Sequence, residues 1–176
     1  MTGVALDRES IETLFVALDA ELGRSSVIGE LYVVGGAVLC LALHARPATL
    51  DVDAHFEPAG AIRRAAARVA AERGVREDWL NDAVKGFLSP HGEYQPFLDL
   101  PHLRVLVARP EYLLAMKCLA FRLGPEFHDE ADVRFLLRYL NVERYDTAVE
   151  IITRYYPRER FPQKAFYALD EILRGG

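Results

Sequence analysis

The chain has 176 residues, of which 51% are hydrophobic and 27% charged, values typical of one folded domain or of one domain with a helical appendage. The net charge of -5 excludes a general attraction to nucleic acid, so a polyanion would need a local basic patch. Because charges appear by residue 7 and no apolar run reaches roughly 18 residues, we expect a cytoplasmic protein without a membrane partner.

The first part of the chain combines helical and strand patterns. Apolar residues at helical spacing behind Asp7 and Ser10 predict an amphipathic first helix, and the β-branched run before Gly35-Gly36 predicts a buried strand. Residues 75–88 indicate only short helical turns. In chain order, helices are predicted over 7–22, 37–45 and 59–74, and strands over 30–34, 49–56, 94–100 and 103–108.

From Pro110 onward the sequence predicts helices without strands. Their expected ranges are 110–124, 129–142, 144–156 and 161–176. The chain is therefore expected to form an α/β core over 1–108 and a helical region over 109–176 that packs on it. Cys40 and Cys118 lie in apolar helical contexts and are expected to be buried thiols rather than a disulfide or a metal site.

One stretch combines glycines and carboxylates in a pattern that favours a phosphate- and metal-binding site. Gly35 and Gly36 end a strand and precede a helix, where backbone N–H groups suit a phosphate. Asp51 and Asp53 would share one face of the next strand, roughly 7 Å apart along the backbone. The pair is compatible with an exposed strand face or a turn, but two carboxylates side by side also suit a Mg²⁺ ion.

These residues lie within "VVGGAVLCLALHARPATLDVDAHF", which resembles the signature of the nucleotidyltransferase fold, the DNA polymerase β-like superfamily. A second segment, "PEYLLAMKCLAFRLGPEFHDEADVRFLL", is similar to a helical segment of AbiEii-like toxins of type IV toxin–antitoxin systems and their small relatives. Together the two segments cover about a third of the chain. The resemblance implies an α/β (α+β) fold with a small mixed sheet flanked by helices, followed by a helical half.

The resemblance also implies an activity, the metal-dependent transfer of a nucleoside monophosphate from an NTP to RNA, such as tRNA, or to a protein. Mg²⁺ or Mn²⁺ would be the cofactor, and a cognate antitoxin is a possible partner. The implied metal ligands are Asp51 and Asp53, the nucleotide-binding residues Gly35, Gly36, Arg46 and Lys117, and the catalytic residues Asp51, Asp53, Lys117 and Asp132.

Several of these residues have a second interpretation. Lys117, close to an apolar helix face, could instead extend to the surface, and Arg46 could be an exposed loop residue. Asp129 is favoured as a helix cap, and Asp132 fits either an acidic first turn or the site. A third metal carboxylate has no clear counterpart, since Asp99 is the only strand-like candidate.

Two other functions therefore stay open alongside the transferase. The chain could be a catalytically silent module that binds a nucleotide or a partner, or an enzyme that nucleotidylates a small molecule such as an antibiotic. For an RNA backbone, the best local patch in the sequence is formed by Arg63, Arg64 and Arg68 on the predicted helix 59–74. The segment "DWLND" at 78–82 is similar to the family but has no role assigned to it.

Overall fold

The structure is a computed structural model, and it describes residues 3–124 and 126–175. The chain divides into two compact units. The first contains the chain up to Gly86 together with Tyr94–Ala108, and the second contains Phe87–Glu93 and the chain from Arg109 onward. None of the helices in the described ranges is long and apolar enough to cross a membrane.

The first unit is built around a mixed sheet of five strands with the order β5-β4-β2-β7-β6. Strands β2 and β7 are parallel, as are β4 and β5, while β2/β4 and β6/β7 are antiparallel. Strands β1 and β3 form a separate antiparallel pair. The elements of this unit are β1 (Leu6–Asp7), α1 (Arg8–Arg24), β2 (Gly29–Val34), α2 (Gly36–Leu41), β3 (Ala48–Thr49), β4 (Val52–Glu57), α3 (Ala59–Arg73), β5 (Leu80–Asn81), β6 (Tyr94–Asp99) and β7 (Leu103–Ala108).

Helices α1 and α3 pack on each other and on one face of this sheet, α1 against β7 and α3 against β4. The helices cover only the apolar face of β4. Val52, Ala54 and Phe56 are buried, and they alternate along the strand with half-buried Asp53 and His55, which point to the opposite face. The N-terminus of α1 is capped by the Asp7 carboxylate, which accepts a 2.8 Å hydrogen bond from the backbone N–H of Ser10. One sheet face is thus the core of this unit, and the other carries Asp53.

The α+β architecture with a mixed sheet is confirmed, while several predicted boundaries are wrong. The strand predicted over 49–56 begins at Val52, because residues 48 and 49 pair with β1 instead. The helix predicted over 37–45 ends at Leu41. Within 75–88, where only helical turns were expected, Leu80 and Asn81 form the short strand β5, and Ala83–Phe87 form a 3₁₀ turn.

The second unit is helical, as its sequence predicts. It contains α4 (Pro110–Leu119), α5 (Asp129–Tyr139), α6 (Tyr145–Ile152), α7 (Gln163–Arg174) and a 3₁₀ turn at Arg158–Arg160. Helix α4 packs against each of the other three helices of this unit and is buried at Tyr112, Leu113 and Leu114. The thiols of Cys40 in the first unit and Cys118 in α4 are both free and buried, as predicted.

Buried tyrosines attach the segment Phe87–Glu93 to the helices of this second unit. The backbone N–H of Ser89 donates to the Tyr112 hydroxyl at 2.9 Å, and the Tyr155 hydroxyl donates to the Glu93 carboxylate at 2.7 Å. The Tyr156 hydroxyl donates to the carbonyl of Phe87. These bonds explain why a short piece of chain between two strands of the first unit belongs with the helices.

Candidate functional site

The end of β2 brings Asp53 against the backbone of a glycine. Val34, the last residue of β2, pairs with Asp53 of β4, and Gly35 follows with φ +70° and ψ -152°. This region of backbone space is essentially reserved for glycine. A Cβ on Gly35 would lie only 3.3 Å from Oδ2 of Asp53, so the carboxylate lies directly beside the strand end. The proximity of Gly35 and Asp53 was expected from the sequence pattern.

The second glycine leaves room for a cation and a hydroxyl group. A Cβ on Gly36 would lie 2.8 Å from Nη1 of Arg46 and 3.3 Å from Oγ1 of Thr49. The guanidinium of Arg46 therefore lies over the backbone at the start of α2, within the first unit and close to where Gly35 meets Asp53. Arg46 is thus placed beside the glycine pair, as its prediction as a phosphate-contacting residue requires.

Asp51 lies just before β4 rather than in it, so the expectation that Asp51 and Asp53 share one strand is wrong. Its carboxylate is half-buried and accepts a 3.4 Å hydrogen bond from the side-chain amide of Asn81. Burial is the main cause that raises the pKa of Asp51 above its ordinary value, and neighbouring Asp78 adds to it, whereas Arg76 and the Asn81 hydrogen bond oppose it. A nearby divalent cation would relieve the cost of this partly buried charge.

Asn81 is a site residue that the sequence interpretation missed. It pairs in register with Asp53 across β4 and β5, so the two side chains leave the same face of the sheet on adjacent strands. Its Oδ1 accepts from the backbone N–H of Ala83 at 3.2 Å, which directs the amide nitrogen toward Asp51. The only sequence signal was its position in "DWLND", because a two-residue strand has no periodicity to detect.

Asp99 does not belong to this group of residues. It pairs with Arg104 at the end of β6, and Arg104 pairs in turn with Glu30 and that residue with Glu57. Asp99 is therefore three strands across from β4 and four residues along from Asp53, roughly 14 Å in one direction and 13 Å in the other. Its role as a third metal carboxylate is excluded by this register.

Lys117 and Asp132 lie in the second unit, where they form a buried ion pair. Nζ of Lys117 lies 2.9 Å from Oδ2 of Asp132 and 3.5 Å from Oδ1 of Asp129, and its side chain is only 14% exposed. Lys117 thus does not extend to the surface, which was the alternative interpretation. The two catalytic candidates of this unit are in direct contact.

Asp129 has a different role from the helix cap that was favoured for it. It is the first residue of α5 after the capping position His128, and it is almost fully buried. Arg122 donates to its carboxylate from both the backbone N–H, at 3.0 Å, and Nε, at 2.9 Å. Burial alone would raise the pKa of Asp129, but the Arg122 hydrogen bonds and the Lys117 charge outweigh it and lower that pKa.

The side chains of the first unit suit a hard divalent cation that brings other ligands with it. Within the described ranges, no three or more His, Cys, Asp or Glu residues form a cluster that could hold a metal ion alone. Mg²⁺ is commonly held by one or two carboxylates together with substrate phosphates and water. Asp51, Asp53 and the carboxamide of Asn81 fit a site of this kind, in which substrate phosphates and water complete the coordination.

Comparison with protein-family models, with curated proteins and with solved structures finds no match for this chain. The similarity to nucleotidyltransferases therefore stays a prediction from the two quoted segments and from the site geometry.

Proposed function

We propose that this protein is a metal-dependent nucleotidyltransferase that moves a nucleoside monophosphate from an NTP to a macromolecular acceptor, RNA or protein. The observation that carries the proposal is the group of residues at the end of β2. There the Asp53 carboxylate lies beside Gly35, Asp51 and Asn81 are hydrogen-bonded, and Arg46 covers Gly36. Carboxylates, a cation and bare backbone are the groups that a metal-bound triphosphate needs.

Each of these residues has a defined task in the proposed reaction. Asp51 and Asp53 would hold Mg²⁺, which when bound supplies electrostatic stabilisation of the phosphate oxygens. Asn81 keeps the Asp51 carboxylate in place through its amide. Gly35 and Gly36 allow the triphosphate to approach the backbone, and the Arg46 guanidinium offers hydrogen-bond donors that match phosphate oxygens.

The transfer itself is a substitution at the α-phosphorus of the NTP. A hydroxyl oxygen of the acceptor forms a bond to this phosphorus, the bond to the β-phosphate oxygen breaks, and pyrophosphate leaves. The hydroxyl proton passes to a base or to water.

Lys117 and Asp132 are proposed as further catalytic residues on the strength of the family resemblance. If this chain is the toxin of a type IV toxin–antitoxin system, as the resemblance implies, expression of the wild-type chain should slow bacterial growth.

The proposal is tested by incubating the protein with each of the four α-labelled NTPs, Mg²⁺ and either total tRNA or a protein extract. We expect label on one acceptor class, and we expect Asp51→Asn and Asp53→Asn each to reduce transfer by about a hundredfold or more, because each removes a metal-binding charge. Asp99→Asn is the matched control, since it makes the same chemical change on the same sheet but away from the site. Activity equal to wild type in Asp53→Asn would refute the assignment.

Calorimetry with Mg²⁺ and NTP separates the transferase from a silent binding module. Binding without transfer to tRNA, protein or a panel of antibiotics would favour the module and reject catalysis. Loss of both binding and transfer in Asp53→Asn, with unchanged unfolding by urea, would support the enzyme. Lys117 variants need the same unfolding control, because removing this cation leaves Asp129 and Asp132 buried without it.

A further inference from the structure

The outward surface of α5 has a composition that packing within its unit does not explain. The aliphatic residues of this helix, Val133, Leu136 and Leu137, all point inward and are buried. The outward surface also carries exposed Glu130 and Ala131. The name aromatic–arginine face is used here for Phe127, which precedes the helix, and for Arg134, Phe135, Arg138 and Tyr139. Residues of this face line an open cleft of about 500 Å³ together with Gly124, Glu130 and Ala131.

The rings of this face are arranged for stacking. The rings of Phe135 and Tyr139 are four residues apart on the helix and nearly parallel, with centroids 6.0 Å apart and planes inclined by 24°. Tyr139 is 53% exposed, so its ring is accessible to a ligand. Phe127, which lines the same cleft, lies under the Arg122 guanidinium at 4.5 Å. The face therefore offers planar π surfaces next to a cation.

Two arginines follow the same four-residue spacing beside the rings. Arg134 donates to Glu130 at 3.3 Å, so its charge is partly balanced. Arg138 is exposed and forms no ion pair within the described part of the chain. Four residues advance a helix by about 6 Å, so the cations and the rings form two short parallel rows along one helix.

We propose that the aromatic–arginine face of α5 binds single-stranded RNA, with the bases stacked on Phe135 and Tyr139 and the phosphates paired with Arg134 and Arg138. Aromatic rings that stack bases, next to cations that follow the backbone, are how proteins bind single strands without sequence preference. Arg138, which has no ion pair within the described residues, is complementary in charge to a phosphate, and the exposed Tyr139 ring offers a base a stacking surface. That the bound RNA is the acceptor of the nucleotide rests on the proposed function, whereas RNA binding by this face does not.

This location differs from the basic patch that the sequence suggests on α3. There, Nη2 of Arg63 is bound to Asp82 at 2.8 Å and its guanidinium lies over the Phe56 ring. Arg68 lies 3.8 Å from a carboxylate oxygen of Glu21. Two of the three arginines of this patch already have carboxylate partners, as Arg134 does on α5. The ring beside Arg63 is that of buried Phe56, so it does not offer the exposed stacking surface that Tyr139 provides on α5.

The test measures the fluorescence anisotropy of a fluorescein-labelled single-stranded RNA of about 12 nucleotides, in EDTA and without NTP, so that catalysis plays no part. We expect Tyr139→Ala to weaken binding roughly tenfold through lost stacking. Arg138→Gln and Arg138→Glu should weaken it progressively and make the salt dependence between about 50 and 200 mM shallower, because a phosphate contact is lost. Arg154→Glu, the same charge change at an exposed residue after α6, is the matched control and should bind as wild type.

The outcomes distinguish this inference from the proposed function. Weakening by the α5 variants, with wild-type RNA binding in Asp53→Asn, supports the RNA surface even if no transfer is ever detected. Wild-type affinity in Tyr139→Ala and both Arg138 variants overturns it, even if transfer occurs. Absence of RNA binding by the wild type, together with a dimer that Arg138→Glu dissociates in sedimentation, also overturns it and assigns the face to a protein contact. Circular dichroism confirms that each variant is folded.

Discussion

At the scale of single residues, the two adjacent glycines have different structural reasons to be glycine. Gly35 adopts φ +70° and ψ -152°, a conformation that costs other residues about 1–3 kcal/mol. Gly36 is the first residue of α2, and only the ends of the Arg46 and Thr49 side chains occupy the space next to it. One position is therefore constrained by the backbone and the other by side chains that can move.

This difference predicts losses of stability of different size for two alanine substitutions. Gly35→Ala should lower the free energy of unfolding by about 1–3 kcal/mol, because the backbone is strained and the new Cβ lies 3.3 Å from Oδ2 of Asp53. Gly36→Ala should change it by less than about 1 kcal/mol, since Arg46 can rotate away and alanine favours a helix. Urea unfolding of the two variants checks this. Equal losses for both would contradict the assignment of backbone strain to Gly35 alone.

The residues that the sequence could not predict are those whose partners come from short or distant elements. Gly35, Asp53 and Arg46 follow a local pattern of strand, glycines and carboxylate, and the structure brings them together as expected. Asn81 joins Asp51 through a strand of only two residues, for which no alternation of apolar residues exists. Asp99 was a candidate only because it is a strand carboxylate, and its position depends on register, which the sequence alone does not determine.

At the scale of elements, the start of α5 depends on a group of charges rather than on a helix cap. Asp129 is buried against Lys117 and Arg122, which links the first turn of α5 to α4 and to the chain that follows α4. Asp132, one turn later, binds Lys117 as well. The stability of this junction therefore depends on the Asp129 carboxylate remaining ionised.

The lowered pKa of Asp129 determines the direction in which folding stability changes with pH. A carboxyl group whose pKa is lower in the folded chain contributes stability that is present above its ordinary pKa, near 3.8, and is lost as the pH falls through the folded value. We expect Asp129→Asn to lower the free energy of unfolding at pH 7 by about 1–3 kcal/mol, because Arg122 and Lys117 lose a charged acceptor. Below about pH 4, wild type and variant should become more alike.

Urea unfolding at several pH values between about 7 and 3 measures this difference. Glu130→Gln on the exposed side of the same turn is the control, because its pair with Arg134 is partly solvated and should be worth less than about 1 kcal/mol. A constant difference between wild type and Asp129→Asn across the whole pH range would show that the charge of Asp129 is not what stabilises this turn.

Most helices and strands were predictable because their apolar residues repeat over many positions. The amphipathic pattern of α1 and the glycine stop of α3 appear in the structure at the expected places, with Gly74 in the left-handed conformation at φ 68°. The start of β4 was not predictable, because Thr49 has the same local preference as the strand but pairs with Leu6. Local preference thus identifies a strand, while the pairing partner determines where it begins.

At the scale of the whole molecule, the change from strands to helices after Ala108 is visible in the sequence, but the assignment of Phe87–Glu93 is not. This segment begins at the last residue of the 3₁₀ turn Ala83–Phe87 and ends just before β6, and nothing in its composition separates it from either. It belongs to the second unit through hydrogen bonds with tyrosines that come 23 to 69 residues later. Such contacts leave no periodic pattern in a sequence.

The division of the chain predicts what happens when the helices are removed. In a fragment that ends at Ala108, the segment Phe87–Glu93 loses Tyr112, Tyr155 and Tyr156 as hydrogen-bond partners. Backbone groups without partners expose a segment to proteases. Chymotrypsin should therefore cut the fragment after Phe87 or Leu88 much faster than it cuts the full chain. Cleavage within the sheet, for instance after Phe56, should stay slow in both if the first unit folds alone.

A matched substitution in the full chain separates the hydrogen bonds from the packing. Tyr156→Phe removes the hydroxyl that binds the Phe87 carbonyl but keeps the buried ring. It should increase cleavage near Phe87 by a smaller factor than the truncation does, since Ser89 and Glu93 keep their own tyrosine partners. Equal resistance of the fragment and the full chain at Phe87, with the sheet intact, would mean that this segment is held by the first unit. The chain would then divide at Ala108, where its strand pattern ends.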